Sequence, residues 1–96
     1  MGLFFNTNKY DTKECYFSKE EIKRLVSSYK IKSLDSEEES LVEDLVITRR
    51  GNDGKISLYQ IDEVLKKMMD QNKISKYDRS ALMQSFERFF KSKEVK

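Results

Sequence analysis

The sequence predicts an all-α domain of four short helices, and three observations predict it. One signature recurs along the chain, a serine followed three residues later by Glu, Gln or Asp. It stands in Phe17-Ser18-Lys19-Glu20-Glu21, Asp35-Ser36-Glu37-Glu38-Glu39, Ile56-Ser57-Leu58-Tyr59-Gln60 and Ile74-Ser75-Lys76-Tyr77-Asp78. In such a capping box the serine oxygen accepts a free amide of the first turn, and the acid or amide side chain reaches back to the cap. Behind each cap the apolar residues fall at helical spacing. Proline is absent and glycine occurs only three times in 96 residues, so long runs carry no breaker.

Taken in order, residues 1–16 show no sustained period and read as a loosely ordered N-terminal arm. Phe4 and Phe5 in that arm pack on the domain or dock on a partner. Met1-Gly2 opens like a myristoylation signal, but that pattern wants Ser or Thr where Asn6 stands. The helical domain is expected over 17–92. Its first helix, about 18–31, carries Ile22, Leu25, Val26 and Tyr29 on one face. The second, about 36–50, carries Leu41, Val42, Leu45 and Val46. Its acidic start (Glu37, Glu38, Glu39) and basic end (Arg49, Arg50) suit the helix dipole, and Gly51 stops it. The third, about 57–71, carries Ile61, Val64, Leu65 and Met68 and closes at Asn72. The fourth, about 75–91, carries Leu82, Phe86, Phe89 and Phe90, and 93–96 is a polar tail. Phe17 with Ile22, and Ile56 with Ile61, form apolar staples across two of the starts. Each apolar face is a stripe, so each helix needs the others to bury it.

Composition removes several function classes. Cys15 is the only cysteine, so neither a disulfide framework nor a thiolate zinc site forms within one chain. There is no histidine, which removes the commonest general base and the commonest metal ligand together. No nucleophile motif and no phosphate-binding glycine loop stands elsewhere, so the chain reads as non-enzymatic. The net charge of +2 is too small to imply nucleic acid. The connection between the second and third helices is also longer than that of a DNA-reading helix-turn-helix. Leu3-Phe4-Phe5 is too short for a signal-peptide core or a membrane span. An intracellular, cytoplasmic or cytoskeletal setting without stable membrane insertion is expected.

The central connection carries the most specific pattern, Arg49-Arg50-Gly51-Asn52-Asp53-Gly54-Lys55-Ile56-Ser57-Leu58-Tyr59-Gln60. A helix–loop–helix calcium loop places oxygen ligands at its first, third, fifth, ninth and twelfth positions, with glycine at the sixth for the sharp turn. Here Gly54 takes the sixth place, Asp53 the fifth and an apolar Ile56 the eighth. With the flanking Asp35-Ser36-Glu37-Glu38-Glu39, Ile61-Asp62-Glu63-Val64-Leu65-Lys66-Lys67-Met68 and Ile74-Ser75, the chain resembles the EF-hand superfamily over about 35–90. The likeness is to calmodulin-like or light-chain-like proteins. It implies an EF-hand-like helix–loop–helix at the centre, flanked by two further helices. The ligand places depart from the pattern: Arg49 stands at the first, Gly51 at the third and Gln60 at the twelfth. This is a degenerate calcium loop, which keeps the turn and has lost the metal. No cofactor is expected, calcium included; if any site remains, Asp53, Ser57 and Gln60 form it, helped by Asp62 or Glu63.

The resulting expectation is a non-catalytic adaptor or structural subunit that clasps an amphipathic helix of a larger protein independently of calcium. Methionine-rich faces suit such grooves because the side chain is flexible and polarizable. The expected partner-binding residues are Met68, Met69, Met83, Phe86, Phe89 and Phe90. Met68, Leu82 and Phe86 are expected inside, with some of Met69, Met83, Phe89 and Phe90 left over for the partner. Two alternatives stand beside it, a low-affinity calcium sensor with one unusual EF-hand and an unrelated four-helix inhibitor or immunity-type module.

Overall fold

Every helix begins where a capping box closes, and these boxes set the architecture. The computed structural model describes residues 10–28 and 34–94. Its elements are β1 (Glu14–Tyr16), α1 (Lys19–Ser28), α2 (Ser36–Arg49), β2 (Lys55–Ser57), α3 (Leu58–Asp70) and α4 (Lys76–Glu94). Ser18 and Glu21 exchange backbone-to-side-chain bonds of 2.9 and 3.1 Å ahead of α1. Ser57 and Gln60 do so ahead of α3, and Ser75 and Asp78 ahead of α4. At α2 the box lies one residue earlier than expected. Asp35 is the cap and Glu38 the returning carboxylate, each bond being 2.9 Å. An aspartate caps as well as a serine, and its charge also suits the positive helix end.

The domain is all-α apart from one two-stranded sheet. β1 pairs antiparallel with β2, Cys15 opposite Ile56. This departs from the loose arm expected over 1–16, because Glu14–Tyr16 belong to the folded unit. Tyr59 also donates to the Asp11 carbonyl at 3.0 Å. Tyr29 of the expected first helix falls outside the described residues, as do Gly2, Phe4 and Phe5. α3 ends in a Schellman turn: Asn72 sits at φ 60°, its amide donates to the Met69 carbonyl, and the Lys73 amide donates to that of Met68. At the other end of the domain α4 runs on through Lys93, so this residue is helical and not tail. No helix among the described residues is long and apolar enough to cross a membrane.

α3 packs on α4, α2 on α3, and α1 on both α2 and α4. The core they enclose includes Ile22, Val26, Val42, Val46, Ile61, Leu65, Met68, Leu82 and Phe86. Two residues ahead of α1, Phe17 is fully buried in its middle. Its ring stacks on Phe89 at 4.6 Å and meets Phe86 and Phe90 edge-on, both at 5.7 Å. Aromatic contacts of this kind add to the area that each ring buries.

α2 does not present the single stripe expected of it. Val42 and Val46 are buried, whereas Leu41 is half-buried and Leu45 lies at the surface, 38% exposed. Leu41 still packs against the core, so Leu45 is the one of the four that turns to the surface.

Truncating Phe17 removes the ring on which three others pack. Phe17→Ala is expected to cost about 3–5 kcal/mol, much of the total stability of a domain this size. Urea denaturation followed by circular dichroism measures it, and the midpoint should fall far more than for an exposed substitution such as Tyr77→Ala.

Candidate functional site

The loop over 49–60 is closed by its own groups. α2 ends at Arg49, and the Arg50 amide caps back onto the Ile47 carbonyl. The Gly51 amide donates to the Lys55 carbonyl, and the Gly54 amide to that of Gly51, both at 2.9 Å. Gly54 lies at φ +78°, a conformation that favours glycine, and a Cβ there would stand 2.8 Å from the Tyr16 ring. From there β2 carries Ile56 into the core.

Each position that the resemblance assigns to a ligand is engaged otherwise. The Arg49 guanidinium turns to Glu63 of α3 at 3.8 Å. Asp53 Oδ1 accepts the Lys55 amide at 3.0 Å. Ser57 is buried, and its Oγ accepts the Gln60 amide. Gln60 Oε1 accepts the Ser57 amide, while its Nε2 donates to Glu14 at 3.3 Å. Of the two helpers, Glu63 pairs with Arg49, and Asp62 is buried against α4. There Arg79 holds Asp62 with two bonds of 3.0 and 2.8 Å, which together with the opposite charge raise the Arg79 pKa. Among the described residues no three acidic or cysteine side chains come together as a metal cluster would require.

A cation does bind at the base of the loop, and it belongs to the chain. The Arg50 guanidinium donates to the Phe17 carbonyl at 2.9 Å and to the Ile47 carbonyl at 3.1 Å. The Phe17 amide in turn donates to the Gly54 carbonyl at 3.0 Å. Arg50 thus joins the negative end of the α2 dipole to the strand entering α1. Sequence reasoning gave this arginine only a dipole role, since a partner so distant in sequence leaves no local signal.

The expected partner-binding residues do not form one surface. Met68 and Phe86 are buried, as expected, but so are Met83 and Phe90, so neither is left over. A small domain with a long α4 uses these large side chains to fill its own centre. Met69 and Phe89 are half-buried. Met69 faces the Arg79 guanidinium, with Sδ at 4.0 Å. Phe89 is covered by Phe17 on one side and by Lys93, whose Nζ lies 5.0 Å from the ring centroid. Lys93 also donates to the Tyr16 carbonyl and pairs with Glu21 at 3.4 Å.

Apolar surface remains between α2 and α3, with the exposed Tyr16 and Tyr77 elsewhere on the domain. A groove of about 330 Å³ is lined by Leu45, Thr48, Val64 and Met68, with Arg49, Lys67 and Gln71 at its rim. Only Met68 of the expected set touches it.

Set beside known proteins, the chain matches no family model, no curated protein and no solved structure.

Two outcomes follow from this geometry. Arg50→Gln leaves two carbonyls without their charged donor and should cost about 1–3 kcal/mol. Gly54→Ala forces an L-residue into the left-handed region and should cost about 1–2 kcal/mol, since the exposed Tyr16 ring can swing aside. Thermal denaturation measures both, and millimolar calcium should restore neither.

Glu21 supplies a pH dependence. Burial works to raise its pKa, but the Ser18 amide and the Lys93 charge pull it below its ordinary 4.5. A depressed folded-state pKa stabilises the fold above the unfolded value, and that share is lost as pH falls through the folded value. Urea midpoints taken between about pH 6 and 3 should therefore fall less steeply for Glu21→Gln than for the natural chain.

Proposed function

We propose that this chain is a non-catalytic, EF-hand-like adaptor or structural subunit. It holds a helix of a larger intracellular assembly in the groove between α2 and α3, whether or not calcium is present. The observation that carries this reading is a loop that keeps the glycine turn while its own amides and arginines meet the groups around it. Gly54 adopts the left-handed turn at the sixth place, and Arg50 ties the base of the loop to Phe17. A calcium site draws its affinity from several carboxylates converging on one ion. Here the single loop carboxylate, Asp53, accepts an amide of the loop itself. Leu45, Val64 and Met68 then offer an apolar seat for one face of an amphipathic helix.

The test separates groove from loop. Native extract is fractionated by size, once with chelator and once with calcium, from cells carrying the natural chain, Leu45→Asp or Asp53→Ala. The natural chain and Asp53→Ala should run in a large assembly under both conditions. Leu45→Asp should run near its own 11.4 kDa, with its helix content unchanged. Assembly only with calcium, or release by Asp53→Ala alone, would instead make the loop a working calcium sensor.

A further inference from the structure

One side chain ties the far end of α4 to the start of the domain. Lys91 and Ser92 stand exposed, whereas Lys93 turns inward and is half-buried. Its Nζ lies 5.0 Å from the centroid of the Phe89 ring, 5.8 Å from that of Tyr16 and 5.9 Å from that of Phe17. All three distances fall within the reach of cation–π attraction. The same ammonium donates to the Tyr16 carbonyl and pairs with the Glu21 carboxylate at 3.4 Å. Three rings, a carbonyl and a carboxylate therefore converge on a group that carries a charge and has only donors to offer. The ion pair is also better covered than an ordinary surface contact. The Lys93 and Glu21 side chains are 25% and 33% exposed, against 55% and 57% for Lys66 and Asp70, so water and salt weaken it less.

We infer that Tyr16, Phe17, Phe89 and Glu21 form an ammonium receptor that the chain fills with its own Lys93, making the last turn of α4 a latch held by one positive charge. The latch stands apart from the groove between α2 and α3 and does not depend on it. A helix end frays unless something ties it down, and here the tie is the charge. Under Lys93 lie the half-buried Phe89 and, stacked on it, Phe17. With the charge in place the aromatic pair is covered and β1 is held through the Tyr16 carbonyl. Without the charge the last turn opens on its own, which uncovers Phe89 and frees that carbonyl while the helices below remain packed.

Native-state amide hydrogen exchange of the full chain, read by NMR over a series of low urea concentrations, tests this. A latch that opens by itself exposes little surface, so its amides exchange with little dependence on urea, unlike core amides released by global unfolding. The amides of residues 91–93 should show that weak dependence, and the amide of Leu65 the strong one. Lys93→Gln removes the charge, Lys93→Arg keeps it, and Lys91→Gln removes an exposed charge from the same helix end. In Lys93→Gln the amides of 91–93 should exchange about three- to tenfold faster through the same weakly urea-dependent opening, as contacts of this kind dictate. Lys93→Arg and Lys91→Gln should each stay within about twofold of the natural chain. If the amides of 91–93 follow the urea dependence of Leu65, no separate opening exists and the latch is overturned. Unchanged exchange in Lys93→Gln, or an equal acceleration in Lys91→Gln or Lys93→Arg, overturns it as well.

Discussion

Phe17 carries the interaction on which the other contacts of the domain rest. Its amide reaches the Gly54 carbonyl, its own carbonyl takes the Arg50 guanidinium, and its ring lies among Phe86, Phe89 and Phe90. The backbone therefore belongs to the loop while the side chain belongs to α4. The backbone half is weak bond by bond, since each hydrogen bond in water is worth little net, and the buried ring supplies most of the energy. Together they fix how the loop stands against the last helix, and that fixes how α2 and α3 are presented. Lys93 closes the arrangement from outside, spanning Tyr16, Glu21 and the Phe89 ring.

The features legible in the sequence were those with short-range causes. A capping box relates residues three apart, so the four helix starts could be read directly, the second with a one-residue shift because Asp35 and Ser36 are both good caps. The turn at Gly54 could be read from its neighbours for the same reason, and so could the close at Asn72. β1 could not, because three residues are too few to show an alternation. The Arg50 tie could not, because nothing near an arginine tells which distant carbonyl it will meet. Leu41, Val42, Leu45 and Val46 fit one broad stripe on paper, and only packing showed that Leu45 is left at the surface. The methionines and phenylalanines of α3 and α4 misled for a related reason: pattern identifies an apolar face but not how deeply neighbours will cover it.

That division of α2 changes where an interaction surface can lie. Val42 and Val46 are buried while Leu45 stands at the surface, so the α2 residue that would serve the proposed docking groove is not one that builds the core. Leu45 can then vary with little effect on the packing that Val42 and Val46 supply. A surface built from Phe86 and Phe90 would have had no such freedom.

The placement of β1 also has a consequence for synthesis. The strand comes before all four helices, yet it pairs with a segment between α2 and α3, and the ring beside it is covered by α4. On the ribosome Phe17 emerges long before Phe86. Until α4 is made, the Phe17 ring lacks the three phenylalanines that surround it, and α1 lacks its contacts with α4. The middle of the chain, joined through a short loop, can order early because its contacts are local. β1 and Phe17 are thus among the last of these elements to settle, and a chain halted before α4 exposes an aromatic side chain of the kind that chaperones bind and aggregates grow from.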